Sequence, residues 1–438
     1  MGVYVWTATG AGGNWTTPGN WDQLREPVGS DTAEFTNSSS AGTSYEADIT
    51  SAIQISSLEI KNADADVVES SAGSIIVHND FTVEDGTAEL NATNTMSYVS
   101  FRDGGLVEFS VAGALGVHKV NFDDGALEGT ANVSLANALV IDTTAHIDAA
   151  AGDTVKYLGA VTMKGAAIQF GSADLGHGAP DPTGTVEIAG TAFTNSSTGY
   201  TIDVTSGTVI SGAGSHGVAA DGMFSGALEV DVSAGATLDV GHFGTAVTLN
   251  DLAGTGTIKD SSDAVVITLA GADFGGTFSG ANKLYVASSA SDVLSGNLGT
   301  ATAIATGNNT TLDLTDATGK YSLTSEGAGS VLKLGSGTVN HITGFDSGNL
   351  TIDTNFNKHD VVVYKTGSGY EQMVIHPGHG AATISIYFFG LTSSDGIVVG
   401  ADSNSHMEIS YAPAEAHAAA VEHAVAEAAF VPMDHGLF

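Results

Sequence analysis

The stretch from Leu228 to Gly280 limits the possible folds of this chain more than any other part of it. It consists of short runs in which apolar and polar residues alternate, such as Leu228, Val230 and Val232, and each run ends at Gly, Asp, Asn or Ser. Alternation with a period of two is typical of short strands with one buried face, and no run is long enough for a helix. Short strands that recur at a loose interval predict a solenoid, in which each coil buries its inner face against the next coil.

The same stretch resembles a known repeat. Its segments AGATLDV, LNDLAGTGTIKD and ITLAGADFGGTFSG resemble the passenger-associated repeat of bacterial autotransporter adhesins, which joins a G-A-T-L strand, an L-x-G-x-G turn and a closing F-x-G. The resemblance is tight here and looser over residues 40 to 337. It implies a right-handed parallel β-helix displayed outside the cell. Stacked β-sandwiches are the alternative architecture.

The three tryptophans, Trp6, Trp15 and Trp21, all lie near the N-terminus. Their W…NW…NW pattern, followed by the segment from Pro27 to Phe35, resembles the opening of autotransporter-like passengers. A solenoid ends in an open coil with unpaired backbone groups, and bulky aromatic side chains can cover such an end. We therefore expect residues 1–36 to form an N-terminal cap. A sugar-binding aromatic platform is the alternative.

The charge balance restricts the possible partners. The chain of 438 residues has 12 Lys and Arg against 49 Asp and Glu, which gives a net charge of −37. This charge repels nucleic acid phosphates and anionic lipid headgroups, so we expect neither as a partner. It favours solubility, cation binding or both.

Several other features bear on location and chemistry. Cysteine is absent, so disulfides, thiol nucleophiles and Cys-based zinc sites are excluded. The first residues lack the basic and apolar regions of a Sec signal peptide, and no apolar run is long enough to span a membrane. If the protein is exported, we expect its export signal to lie elsewhere.

The sequence changes character after Leu334. Residues 337–353 resemble the strand–turn unit I-x-G-F-x-x-G-D-x-I-D of type I-secreted bacterial surface proteins, although Asn349 stands where Asp is usual. Farther along, Ile384, Ile386 and Phe388 point to one face of a predicted strand and Phe389 to the other. Aromatic side chains on both faces predict a strand covered on both sides, by a second sheet or by a neighbouring molecule.

The last segment is predicted to be helical. Pro413 precedes residues 414–430, which are rich in Ala and Glu. The chain finishes with the large apolar residues Phe430 and Phe438. An uncleaved type I secretion signal looks similar, and an interface helix is the alternative. The predicted domains are therefore the cap (1–36), the solenoid (37–335), a β-rich C-terminal module (336–412) and a helical tail (413–438).

The residues predict no catalytic constellation and no organic cofactor. Asp123 and Asp124 are adjacent carboxylates, but neighbouring strand residues point to opposite faces, so a turn at this position is the favoured interpretation. His376 and His379 share a probable turn without an evident third metal ligand. His417 and His423 lack the four-residue spacing that would bring two ligands to one helix face.

Calcium is the one ion that we expect. Close packing of subunits with this charge requires counter-cations, and carboxylates in turns are suitable calcium ligands. The candidate ligands are turn aspartates of the C-terminal part: Asp346, Asp353, Asp360, Asp395 and Asp402.

We therefore expect an all-β protein, a right-handed parallel β-helix (solenoid) with a small C-terminal β-rich module and a terminal helix. The expected function is that of a non-enzymatic structural protein on the surface of a Gram-negative bacterium, which self-assembles into filaments, fibres or a surface layer. The candidate interface residues are Trp6, Trp15, Trp21, Ile384, Ile386, Phe388, Phe389, Phe430 and Phe438. A monomeric adhesin that binds glycan or matrix is the alternative, and a carbohydrate-active enzyme is the third candidate.

Overall fold

The structure is a computed structural model in which two compact units, Met1–Val265 and Val266–Phe438, are described separately. It describes residues 2–9, 12–36, 45–171, 183–190, 192–195, 199–211, 221–224, 226–242, 245–280, 283–299, 302–319, 321–325, 328–335, 339–343, 345, 350–357, 360–376, 383–391, 397–401 and 406–411. The described residues are almost entirely in strands and turns.

Strands β1 to β26 belong to the N-terminal unit, together with one 3-10 helix and one short α-helix. Their bounds are β1 (Val3–Val5), β2 (Gly13–Asn14), the 3-10 helix (Pro18–Asn20), β3 (Thr32–Phe35), β4 (Tyr45–Ile49), β5 (Ala52–Ile55), β6 (Ser57–Glu69), β7 (Ser74–Leu90), β8 (Thr95–Arg102), β9 (Leu106–Phe109), β10 (Val120–Asp123), β11 (Gly125–Gly129), β12 (Val133–Leu135), β13 (Leu139–Ile141), β14 (Thr144–Ala149), β15 (Thr154–Tyr157), β16 (Val161–Met163), β17 (Ala167–Phe170), β18 (Thr185–Ile188), β19 (Phe193–Asn195), β20 (Tyr200–Val204), β21 (Thr208–Ser211), α1 (Asp221–Phe224), β22 (Ala227–Val232), β23 (Thr237–Asp239), β24 (Ala246–Asn250), β25 (Leu252–Gly254) and β26 (Thr257–Lys259).

The C-terminal unit contains the remaining strands. Their bounds are β27 (Val266–Ala270), β28 (Asp273–Phe274), β29 (Thr277–Ser279), β30 (Lys283–Val286), β31 (Ser291–Leu294), β32 (Thr302–Thr306), β33 (Thr311–Leu314), β34 (Tyr321–Ser325), β35 (Ser330–Leu334), β36 (Val339–Thr343), β37 (Leu350–Asn357), β38 (Val361–Gly367), β39 (Tyr370–His376), β40 (Ile384–Phe389), β41 (Ile397–Ala401) and β42 (His406–Tyr411).

The N-terminal unit is a parallel β-solenoid. Each strand pairs in parallel with the equivalent strand one coil later, as in the series β9–β11–β14–β17–β20–β22 and β12–β15–β18–β21–β23–β26. The short strands and turns predicted between Leu228 and Gly254 are among them. Parallel pairing between successive coils confirms the predicted solenoid and excludes stacked antiparallel sandwiches.

The core is built from inward-pointing residues stacked from coil to coil. Val107 pairs in register with Leu127, and Leu127 pairs with Ile147. Ile147 pairs with Phe170, which pairs with Val204. All five side chains are fully buried. The alternation seen in the sequence thus places one apolar side chain per coil on the same internal row, where burial and dispersion stabilise the stack.

The turn predicted at Asp123 and Asp124 is confirmed. Strand β10 ends at Asp123 and β11 begins at Gly125, while Asp124 adopts a φ of 69° at the corner between them. This left-handed conformation is tolerated by Asp better than by most residues. A Cβ at Gly125 would lie 2.5 Å from the Cβ of Phe101, so the corner requires Gly at this position.

Gly159 occupies a second place where two coils approach closely. An added Cβ would collide with the carbonyl of Asn137 on the preceding coil. Asn137 is itself 3% exposed and donates its side-chain amide to the His118 carbonyl oxygen at 2.5 Å. The backbone at this point therefore cannot move aside freely.

We expect Gly159→Ala to lower the free energy of unfolding of the N-terminal unit by about 1–3 kcal/mol, the usual cost of overpacking. Urea denaturation followed by circular dichroism measures the change. Gly19→Ala is the matched control, because no atom lies within 4 Å of a Cβ added there. An equal loss in both variants would contradict the assignment of Gly159 as a close-contact position.

The C-terminal unit begins with the same parallel pairing and ends in antiparallel strands. The series β27–β30–β32–β34–β36–β40 and β31–β33–β35–β37 are parallel. Strands β38, β39 and β40 then pair antiparallel, as do β37, β42 and β41. The predicted module boundary at residue 336 lies inside this unit, where parallel pairing continues into β36 and β37.

Strand β40 lies between β36 and β39. Ile384, Ile386 and Phe388 are fully buried on its inner face, and Phe389 is half-buried on the outer face. The inner face is therefore core, whereas the outer face is only partly covered within the described residues. The predicted helical tail, with Phe430 and Phe438, lies outside the described residues.

Candidate functional site

The three tryptophans form a buried cluster with Phe35. The ring centroids of Trp15 and Trp21 are 4.7 Å apart, those of Trp6 and Trp21 are 5.0 Å apart, and Trp6 stacks on Phe35 at 5.5 Å. The Trp21 indole Nε1–H donates to the Trp15 carbonyl oxygen at 2.8 Å. Each tryptophan is at most 1% exposed, so the rings belong to the core of the first coil and do not form an exposed sugar-stacking platform. Their role in an interface between molecules stays a prediction.

A surface cleft lies beside this cluster in the N-terminal unit. Its volume is about 330 Å³, at the lower end of the usual range for small-molecule sites. It lies between the segment that precedes β3 and the start of β5, and the amide N–H of Gly29 donates to the Gln54 carbonyl oxygen across it. The lining residues are Trp15, Thr16, Glu26, Pro27, Val28, Gly29, Ser51, Ala52, Ile53 and Gln54.

The outer surface of the N-terminal unit carries carboxylates in register on successive coils. Glu89 pairs with Glu108, and Glu108 pairs with Glu128. On the earlier coils Glu46 pairs with Asp66. We call Glu46, Asp48, Asp66, Glu89, Glu108 and Glu128 the acidic row. Neighbouring strands are about 4.8 Å apart, so the backbone holds these like charges close together. All six residues are half-buried.

Burial and mutual repulsion change the acidity of the row. Burial, followed by the charges of Glu89 and Glu46, raises the pKa of Asp66 to about 7. Burial, followed by the charges of Glu89 and Glu128, raises the pKa of Glu108 to about 7. Burial also raises the pKa of Glu128. Asp66 and Glu108 therefore take up protons near neutral pH.

Glu46 responds to its neighbour Asp48. A hydrogen bond to the Asp48 carboxyl, together with burial and the charge of Asp48, raises the pKa of Glu46. The two residues share one strand face, because they stand two positions apart on β4.

Lysine side chains neutralise carboxylates elsewhere, but not in the row. Lys164 pairs with Asp142 at 2.9 Å and Lys259 with Asp239 at 3.3 Å, in both cases across one coil. Among the ion pairs formed by the described residues, none includes a member of the acidic row. The row is therefore a concentrated negative surface without a local basic partner in the part of the chain that the structure describes.

The sequence contains a pattern that marks this row, although the carboxylates in it are too far apart along the chain to form a local motif. Carboxylates between apolar residues recur at positions 89, 108, 128 and 148, in the segments AEL, VEF, LEG and IDA. Asp148 pairs in register with Glu128 but is fully buried, and its carboxylate accepts a hydrogen bond from the Gly171 amide. The interval becomes meaningful only once the length of a coil is known.

Strand β38 of the C-terminal unit is an edge strand. It pairs along its whole length with β39, from Val361 opposite His376 to Gly367 opposite Tyr370, and has no second partner among the described strands. Val363 and Tyr364 are 37% and 39% exposed. Natural proteins usually protect an apolar edge of this kind, because its free N–H and C=O groups can pair with another chain.

An aromatic patch continues from this edge across the outer sheet face. Tyr370 lies 5.5 Å from Tyr387 and 5.7 Å from Phe389, measured between ring centroids. His341 lies 5.3 Å from both Tyr387 and Phe389. We call these four residues the aromatic patch. The partly exposed Phe389 side of β40 is thus filled by neighbouring rings and forms a flat apolar surface.

The structure does not gather the predicted calcium ligands into one site. Asp353 on β37 lies in register with Lys333 on one side and Glu408 on the other, and Asp360 precedes β38. Asp346, Asp395 and Asp402 lie outside the described residues. Across the described ranges, no group of three or more His, Asp or Glu side chains is arranged to hold a metal ion. The calcium sites stay a prediction.

The histidines considered as metal ligands do not form a further site within the described residues. His376 ends β39 and is exposed, while His379, His417 and His423 lie outside the described residues. His146 lies 3.9 Å from Asp124, and burial lowers its pKa more than the Asp124 charge raises it. It is a neutral histidine at the end of the carboxylate surface.

Comparisons with known proteins do not add a family. A scan against protein-family models, a search of curated proteins and a search of solved structures each found no match. Within the described residues, no helix has both the length and the apolar character that crossing a membrane requires.

Proposed function

We propose that this chain is an extracellular structural protein, without enzymatic activity, that self-assembles into filaments, fibres or a surface layer. The observation that carries the proposal is the edge strand β38, where Val363 and Tyr364 are exposed beside a backbone edge that no described strand pairs with. Adding a strand to such an edge provides main-chain hydrogen bonds and apolar contact at once.

A second copy of the chain is the partner that we propose. Every copy presents the same edge and the same aromatic patch, so each molecule brings apolar surface that is buried by association. Pairing of one β38 edge with another is a two-fold contact that gives a dimer. A second contact, between different surfaces of two copies, extends such dimers into an open polymer unless its rotation closes the ring. Strand β38 carries one charged residue, Lys365, so little charge opposes such a contact along the strand itself.

Charge requires a cation in such an assembly. Copies that each carry −37 repel one another unless counter-ions accumulate between them. We propose calcium for this role, because hard carboxylate oxygens are its preferred ligands. Asp353 on β37 and Asp360 before β38 provide such oxygens.

An adhesin is the second candidate. The cleft beside Trp15 and the aromatic patch both combine apolar surface with hydroxyl or amide groups, as sugar-binding surfaces do. A glycan array separates the candidates, since selective binding by dispersed molecules supports the adhesin.

A carbohydrate-active enzyme is the third candidate. The observation in its favour is Glu108, whose raised pKa beside other carboxylates is a property that general acids in glycoside hydrolysis also have. Release of oligosaccharides from polyuronates would support this reading over the structural one.

Negative-stain electron microscopy of the purified chain tests the proposal, first with millimolar calcium and again after chelation. We expect fibres or lattices with calcium and dispersed molecules after chelation. Polymers that persist after chelation would support self-assembly but contradict a role for calcium. Dispersed molecules under both conditions would contradict self-assembly and favour the adhesin.

A further inference from the structure

We propose that the acidic row makes the N-terminal unit a proton-stabilised solenoid, which is most stable in mildly acidic solution and loses stability as its carboxylates ionise. This inference concerns the fold of one molecule and does not rest on self-assembly. Most proteins with surface carboxylates show the opposite trend or little trend in this range.

The backbone holds three carboxylates of the row opposite one another. Parallel pairing places Glu89, Glu108 and Glu128 directly opposite one another on three successive coils. Like charges directly opposite on neighbouring strands destabilise a sheet. The side chains are half-buried, so water screens the repulsion less than it would for fully exposed groups. Unfolding separates the charges and restores their hydration.

The surroundings of the row add more negative charge and little that is positive. Asp148 follows Glu128 in register and Asp64 lies near the buried Tyr45. Tyr157, whose pKa is raised well above its usual value by burial and then by Asp148 and Glu128, stays neutral. His146 lies two residues before Asp148 on β14, and its Nε2 is 3.9 Å from the Asp124 carboxylate.

The direction of the pH dependence follows from the raised carboxyl pKa values. Asp66 and Glu108 have ordinary values of 3.8 and 4.5 when unfolded and about 7 when folded. The folded unit therefore binds protons more tightly than the unfolded chain. The stabilisation is fully present below the unfolded values and is lost as pH rises through about 7.

Two kinds of group act in the opposite direction. Hydrogen bonds and a nearby cation hold the pKa values of Asp31 and Asp239 below their usual value against the effect of burial, so their contribution is lost only at strongly acidic pH. Burial lowers the pKa of His146 from its usual value of 6.5. Below about pH 6.5 the unfolded chain therefore binds this proton more readily, which lowers the stability of the folded unit. Between pH 5 and 8, the protonation of several row carboxyls changes the folding stability more than the protonation of the one histidine does.

Thermal unfolding of the full chain tests the proposal. The protein is kept dilute, in chelator, at pH 5, 6.5 and 8, and tryptophan fluorescence reports the N-terminal unit, because all three tryptophans lie there. We expect the midpoint temperature of unfolding to be higher at pH 5 than at pH 8 by about 5 °C or more, because the pKa values of Asp66 and Glu108 are raised in the folded state.

A double variant, Asp66→Asn with Glu108→Gln, removes the two charges. We expect its midpoint to rise at pH 8 and its difference between pH 5 and pH 8 to shrink by at least about half. Asp80→Asn is the matched control, since Asp80 lies on β7 of the same unit but is exposed and outside the row.

Three results would overturn the proposal. One is a wild-type midpoint that is equal or higher at pH 8 than at pH 5. Another is a double variant with an unchanged pH dependence. The third is a control that changes the pH dependence as much as the double variant does.

Discussion

Val363→Glu is expected to raise the protein concentration needed for self-association by at least about tenfold, which corresponds to about 1.4 kcal/mol per contact. Val363 lies in the middle of the edge strand β38 and is 37% exposed. A glutamate there places a charge where two edges would meet and repels the acidic surface of the next copy. Natural edge strands avoid association by the same means.

Sedimentation velocity over a range of concentrations measures the effect in calcium. Val117→Glu is the matched control, because Val117 is 89% exposed in the N-terminal unit and lies in no strand. It adds the same charge away from the edge, so it should leave association nearly unchanged. Equal behaviour of the two variants would show that the association depends on total charge and not on β38.

Trp21→Ala is expected to lower the free energy of unfolding of the N-terminal unit by about 3–5 kcal/mol, the usual cost of removing a large buried aromatic side chain. Trp21 is fully buried and contacts Trp15, Trp6 and Phe35. It also donates the hydrogen bond to the Trp15 carbonyl oxygen. Its loss leaves a cavity at the end of the solenoid and an unsatisfied acceptor.

Chemical denaturation followed by circular dichroism measures this loss. Trp21→Phe keeps a ring in the cluster and removes the Nε1–H donor, so we expect a smaller cost, about 1–3 kcal/mol. The difference between the two variants separates packing from hydrogen bonding. A loss below 1 kcal/mol for Trp21→Ala would mean that the cluster does not hold the first coil together.

The sequence predicted the parts of the fold that depend on local pattern. Alternation in Leu228–Val232 predicts strand β22, and Val230 and Val232 are buried as expected, but Leu228 is 59% exposed beside a register shift. The pair Asp124–Gly125 predicts a corner, because short-range sterics decide it. The tryptophan cluster was also predicted as a cap, although the structure shows the rings packed inside the first coil and on Phe35. Local pattern was therefore sufficient for the strand and the corner, while the cap stays a prediction.

Features that depend on the register between coils were not predicted. Glu89, Glu108 and Glu128 come together only because each coil has nearly the same length, and no single window of sequence contains that information. The same holds for β38, since Val361–Gly367 reads as an ordinary strand. Its edge position follows from the order β40–β39–β38, which the local pattern does not determine.

Sequence motifs consist of residues that are close together along the chain. Adjacent carboxylates drew attention to Asp123 and Asp124, which the structure places at an exposed corner. The larger electrostatic feature is made of carboxylates one coil apart. In a solenoid, searching at the coil interval is therefore more informative than searching for neighbours.

Hydrogen–deuterium exchange of assembled and dispersed protein tests the central claim, self-association through the edge strand, most directly. Amides of residues 361–367 are expected to exchange more slowly in the assembly, because a new strand pairs with the edge that no described strand covers. Amides around Val117 are expected to exchange at the same rate in both states. Equal exchange at residues 361–367 in polymer and dispersed protein would contradict it.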